Sequence, residues 1–167
     1  MATTAQRRHM VAVMAMMYSH RAELGYPPGD QRTGRDSFSW GLSEQAMEHY
    51  LAGGGTVQFD CSEYVPWVLR CAGCWPWSQP GATGTHLQIW AARRWTIYEN
   101  PKDAGIGAVV IFGEGSGHHE AIVKVPDPKT GNPLLSSHGR PGLDELRLRD
   151  EQARQPPGLR FLSIVKL

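Results

Sequence analysis

Phe59-Asp60-Cys61-Ser62-Glu63-Tyr64-Val65-Pro66-Trp67-Val68-Leu69-Arg70-Cys71-Ala72-Gly73 is the stretch from which the rest of the chain is best read. Asp60 can cap a helix, and Glu63, three positions on, can reach back to the cap's amide, so the residues of a capping box are present. Val65, Val68, Leu69 and Ala72 recur at helical spacing as a core-facing stripe, and Gly73 stops the helix. Cys61 lies four residues before Val65 and shares its face. A cysteine in a first turn feels the positive end of the helix dipole and has beside it amides that the helix does not consume. Such surroundings bring thiol pKa values from about 8.5 into the range of roughly 3.5 to 7.5, and the same amides can hold an oxyanion. Pro66 complicates this turn: with Asp60 as cap it removes an intrahelical bond, which leaves Ser62 as the alternative cap. The competing reading of Cys61 is a small buried apolar residue, the commonest fate of free cysteine.

Upstream, a helix is expected from Ala5 to Leu24, closed by Gly25 and Pro27-Pro28. Its run from Met10 to Tyr18 imitates a signal peptide. Met10, Met14 and Met17 recur at helical spacing, however, and Ser19-His20-Arg21 follows without a small-x-small cleavage site, so a packed amphipathic helix is the preferred reading. Residues 29–41 read as loop. Ser43 caps a second helix through Leu51, with Leu42, Ala46 and Tyr50 on one face and Gly53-Gly54-Gly55 ending it. Downstream, 74–84 is loop and Thr85 to Trp95 a helical or irregular segment.

After Asn100-Pro101 the periodicity changes. Gly107 to Phe112 is a continuous apolar run, hence a strand buried on both faces. His119 to Val125 alternates, Asp127 to Asn132 carries turn residues, Leu134 to His138 is the return strand, and Arg160 to Lys166 closes the sheet. Helices first and antiparallel strands afterwards give an α+β fold in one domain, with 1–55 a helical part and 56–167 the core.

In the alternating strand, His119, Ala121, Val123 and Val125 share one face, and His118, Glu120, Ile122 and Lys124 the other, largely polar one. If the apolar face turns to the helices, His119 points toward Cys61 and His118 points out. With the hairpin loop centred on Lys129 and Thr130, His138 falls opposite Ala121, diagonal to His119, where a second imidazole can fix the first one's tautomer. A shift of one residue sends it to the other face.

The totals narrow the classes. The 167 residues are 41% hydrophobic and 20% charged with a formal charge of +1, which suits a globular domain and gives no pull toward nucleic acid or membrane. Three cysteines exclude a complete disulfide framework.

These residues also resemble a known family. Phe59-Asp60-Cys61-Ser62-Glu63-Tyr64-Val65 with Ala72-Gly73 is similar to the nucleophile motif of NlpC-type peptidoglycan peptidases. The Gly107 to Phe112 strand, Gly117-His118-His119-Glu120-Ala121-Ile122-Val123 and Ser137-His138-Gly139 follow in that family's order, so the resemblance spans Phe59 to Gly139. It implies a papain-like fold and hydrolysis of stem-peptide bonds, typically between D-glutamate and the following diamino acid. Cys61, His119 and His138 would then be catalytic, Asp60 and Ser62 would line the substrate cleft, and no metal or cofactor would be needed. The implied partner is the peptidoglycan stem peptide, with no nucleic acid or membrane, and the implied setting is a lysin moving from host cytoplasm to cell wall, or a phage or wall assembly. Three departures stand out: Glu63 replaces the usual glycine, Gly107-Ala108 replaces glycine-aspartate, and Tyr50 is the candidate for the tyrosine that usually precedes the motif.

Three other readings compete. CHAP-type amidases and toxin amidases share the cysteine–histidine chemistry. Cys71-Ala72-Gly73-Cys74 with His118 and His119 could hold zinc, although two histidines on opposite strand faces chelate one ion poorly. Trp67, Trp75, Trp77, Trp90 and Trp95 could form the binding surface of a non-catalytic wall-binding protein.

Overall fold

The computed structural model describes residues 1–26, 40–75, 86, 97–98, 100–113, 119–140, 142–157 and 162–165. The amino-terminal part holds helix α1 (Thr4–Ser19), strand β1 (Leu24–Gly25), helix α2 (Glu44–Ala52), strand β2 (Val57–Gln58) and helix α3 (Cys61–Cys71). Strands β3 (Ile97–Tyr98), β4 (Val109–Phe112), β5 (His119–Val125), β6 (Leu134–Gly139) and β7 (Gly142–Arg147) follow, then helix α4 (Leu148–Arg154) and strand β8 (Leu162–Val165). The expected α+β order is therefore present.

Six strands form one antiparallel sheet in the order β3-β8-β4-β5-β6-β7. Strands β1 and β2 pair separately and in parallel. The large sheet is covered on both sides. Val109, Ile111, Ile122 and Val165 join Met10, Met14 and Met17 of α1, Met47 and Leu51 of α2, and Val65, Val68 and Leu69 of α3 in one cluster. Val110, Phe112, Ala121, Val123, Leu135 and Ile164 form a second cluster with Leu148 of α4. The unbroken apolar run of β4 follows from this, because its alternate residues enter different cores. Each large side chain buried this way contributes about 1.5–3 kcal/mol.

The methionine spacing of α1 is a packing stripe: Met10, Met14 and Met17 are fully buried. Thr3 caps that helix, accepting from the Gln6 amide while Gln6 Oε1 accepts from the Thr3 amide. The helix stops at Ser19 instead of running to Leu24, since Leu24 is taken into β1 opposite Val57. Ser43 caps α2 as expected, its hydroxyl accepting from the Ala46 amide at 3.2 Å. The buried face of α2 is Met47 and Leu51, however, while Ala46 and Tyr50 are exposed.

Gly107 joins α1 to the sheet. Its φ is +81°, and a Cβ there would collide with the sulfur of Met10. Neighbouring Ala108 is buried in the second cluster, where an aspartate would be cut off from water. The alanine at this point thus has a packing reason.

Of the sequence expectations, Pro27-Pro28, the 29–41 loop (apart from Trp40 and Gly41), Thr85 to Trp95 (apart from His86), Trp77, Gly117 and His118 lie outside the described residues. So do both ends of the expected Arg160 to Lys166 strand, of which 162–165 is described.

Candidate active site

Asp60 is the cap of α3 and Cys61 its first residue. The Asp60 amide donates to Glu63 Oε2 at 3.1 Å, which settles the choice between Asp60 and Ser62. The Ser62 hydroxyl donates to Asp60 Oδ1 at 2.6 Å, tightening the same turn. Glu63 therefore turns its bulk back onto the cap. Pro66 lies inside the helix without ending it.

His119 opens β5 beside Phe112, its register partner on β4, with ring centroids 5.6 Å apart. Its imidazole is hydrogen-bonded to the Cys61 thiol. Nε2 lies 2.9 Å from Ser137 Oγ and 3.0 Å from Glu151 Oε1. Cys61, His119, Ser137 and Glu151 are all buried and come from α3, β5, β6 and α4. Burial pulls the His119 pKa down, but hydrogen bonds to Cys61 and Glu151, with their charges, outweigh it and push the ring up to about 10.

The sequence argument therefore brought His119 to Cys61, but from a premise that the structure contradicts. The face shared by His119, Ala121 and Val123 packs on the second cluster with α4, and the opposite face, through Ile122, packs on the helices α1 to α3. Glu120 on that face is not solvated: it is fully buried, with both carboxylate oxygens 3.0 Å from Nδ1 of His86. An ion-pair partner from a distant segment is what permits a glutamate there.

His138 needs correction. Near the loop the hairpin has the expected register, Val125 opposite Leu134. A bulge between Val123 and Val125 then shifts the pairing by one, so that Ser137, not His138, stands opposite Ala121. His138 consequently lies on the helix-covered face, stacked with Tyr26 at 5.9 Å and tilted against Tyr64 at 5.8 Å. It is fully buried, and neither ring nitrogen has a hydrogen-bond partner among the described residues. Burial, assisted by the charge of His119, pushes its pKa down to about 4. The position expected for His138 beside the reactive ring is filled by Ser137 and Glu151.

A cleft of about 590 Å³ opens beside His119, lined also by Tyr26, Ser137, Arg140, Asp144, Glu151 and Arg154. Asp60 and Ser62, expected to line a substrate site, are not among its walls and serve the helix cap. Tyr50 is on the exposed side of α2, while Tyr26, which the sequence did not single out, borders the cleft. Glu151 was missed as well. Its only sequence signal is the three-residue spacing from Leu148, and Arg149, Asp150 and Arg154 around it read as a solvated helix.

The other two thiols lie at the far end of α3. Burial pushes Cys71 up to about 12 and Cys74 upward too, so both stay protonated and poorly nucleophilic at neutral pH. Among the described residues no three His, Cys, Asp or Glu side chains converge as metal ligands. Trp67 and Trp75 are buried in the first cluster rather than displayed, and Trp77, Trp90 and Trp95 lie outside the described residues.

A thiol at a helix start, an imidazole bonded to it and a carboxylate on the ring's far side are the parts that nucleophilic acyl transfer requires. No family model matches this chain, nor does any curated protein or solved structure, so the geometry of these four side chains is the basis on which its chemistry is read.

Proposed function

We propose that the chain is a cysteine hydrolase of papain-like architecture that cuts stem-peptide bonds of bacterial peptidoglycan, with Cys61 as nucleophile and His119 as acid and base. The observation that carries this reading is the hydrogen bond between the Cys61 thiol and the His119 imidazole, made by two elements distant in sequence, of which His119 borders the cleft. The papain-like assignment draws on a nucleophile at the start of a helix packed against an antiparallel sheet that carries the histidine.

With Nε2 engaged by Ser137 and Glu151, the proton traffic with Cys61 runs through Nδ1. The thiol gives its proton to the ring and the sulfur attacks the scissile carbonyl carbon. First-turn amides of α3, which the helix does not use, receive the developing oxyanion. The carbon–nitrogen bond breaks as the imidazolium protonates the leaving amine, leaving a thioester. His119 next takes a proton from water; the hydroxide attacks the thioester, and the carboxylate product leaves as the sulfur is expelled.

The stem peptide as substrate rests on the resemblance of the 59–73 and 107–139 motifs, and muropeptide mass spectrometry after digestion of purified peptidoglycan tests it. Cleavage before the diamino acid exposes new amino groups there and is lost in Cys61→Ala. Release of intact stem peptides from the glycan would replace the peptidase reading with an amidase. Wall binding without any new product would remove the enzyme altogether.

A further inference from the structure

Glu151 reaches the site from the face of the sheet opposite the helix that carries Cys61. Leu148 and Glu151, three residues apart on α4, are the two buried side chains of that helix, and Leu148 anchors it in the second core cluster. Glu151 Oε1 lies 3.0 Å from His119 Nε2 and accepts from Gln155 Nε2 at 2.9 Å, while Oε2 lies 4.0 Å from the Arg154 guanidinium. Only 5% of the residue is exposed. A carboxylate buried this deeply is strongly unfavourable without a counter-charge, and the ring of His119 is the nearest group able to supply one.

We propose that Glu151 is the positioning residue of the site, fixing the His119 ring through Nε2 and stabilising the charge that the ring takes on during the reaction. This rests on the reading of Cys61 as nucleophile and His119 as its acid. A neutral amide or a second imidazole at this point would orient the ring by a dipole alone. A full negative charge also stabilises the imidazolium, the form that must protonate the leaving amine. In the reaction that proton comes from the Cys61 thiol as the sulfur attacks.

The groups facing the ring are Cys61 from α3, Glu151 from α4, Ser137 from β6 and Phe112 from β4, and His138 opposes its charge. Glu151 itself faces Arg154, and Asp144 and Arg140 border the same cleft. Of these, Cys61 and Glu151 raise the pKa of His119 against its burial.

The test is a nitrogen-15 NMR titration of histidine-labelled full chain from pH 5 to 11, run beside peptidoglycan hydrolysis for the wild type, Glu151→Gln, Glu151→Asp and Cys61→Ser. The wild-type His119 ring titrates near pH 10. Glu151→Gln moves that titration down by about one pH unit or more. It also lowers kcat roughly 10²-fold, the lower end of what positioned acid–base catalysis contributes, with little change in KM. Glu151→Asp, which keeps the charge on a shorter arm, falls between the two and serves if the glutamine variant does not fold. A His119 titration that stays put in whichever of these two variants folds overturns the proposal. Cys61→Ser separates it from the functional reading. Hydrolysis that depends on Cys61 while the ring ignores residue 151 removes Glu151 alone. A ring that follows residue 151 in a protein that never hydrolyses peptidoglycan removes the proposed function and leaves Glu151's hold on the ring.

Discussion

His119 and His138 carry the same side chain on neighbouring strands of one sheet, and both are buried, yet at neutral pH the fold favours the charged form of one and the neutral form of the other. His119 touches a thiol and a carboxylate and is pushed up to about 10. His138 touches two tyrosine rings, has no hydrogen bond to either nitrogen among the described residues, and is pushed down to about 4. Burial works in the same direction on both, toward the neutral form. What separates them is which face of the sheet each occupies, and therefore which partners it meets.

The comparison breaks most visibly if the charged ring is removed. His119→Ala is expected to lower peptidoglycan hydrolysis by at least about 10³-fold, measured as the initial rate of turbidity loss, because members of a nucleophile–base unit fail together. His138→Phe should leave most activity in place. Near-normal rates in His119→Ala would sink the assignment of the acid and base.

The neutral ring gives the next effect, seen in stability. The folded chain keeps His138 uncharged down to about pH 4, whereas an unfolded chain protonates it near the ordinary 6.5. Its contribution is therefore whole above pH 6.5 and drains away as pH falls toward 4. Between pH 7 and pH 5 this one group withdraws about 2 kcal/mol of stability. Chemical denaturation at the two pH values should show a smaller acid loss in His138→Phe, by about that amount. An identical acid loss in both proteins would mean that His138 is not held neutral. His119 runs the other way: its pairing is whole below pH 6.5 and is lost as pH rises through about 10.

Ser137→Ala sharpens the comparison most finely. It removes the 2.9 Å hydroxyl contact while leaving Glu151 on the same nitrogen. Because Glu151 stays on that nitrogen, the loss is expected at the low end of the about 1.5–3 kcal/mol of a hydrogen bond to a charged group, which is a fall in kcat of roughly tenfold. A loss as large as that of His119→Ala would make Ser137, rather than Glu151, the principal hold on the ring.

The sequence was most legible where local rules act alone. The Asp60 and Glu63 cap, the cysteine at the helix start and the span of the strand from His119 to Val125 follow from capping chemistry and period-two alternation. Even the hairpin loop was centred correctly, since Val125 does face Leu134. What failed was parity beyond the bulge, which no residue pattern announced, and with it the role given to His138. Glu120 fell on a face that reads as largely polar, and its buried partner, His86, arrives from a segment with no periodicity to place it. Glu151 was illegible for a related reason: α4 is seven residues long, mostly charged, and becomes part of the site only because Leu148 pins it to the sheet.

Lys124 is the one residue that β5 has in excess over its partner strand between Val123 and Val125. That single insertion works as a phase selector, because sliding a strand by one position exchanges its two sides. Drawing Lys124 into the ladder opposite Leu135, with the turn at Asp127 to Gly131 kept, would bring His138 opposite Ala121 where Ser137 now stands, and would move that serine to the side of the tyrosines. The identity of the group beside the reactive ring is thus decided by a count of backbone units several residues away, so loop or strand length offers a route to retuning this chemistry without touching any side chain in contact with it.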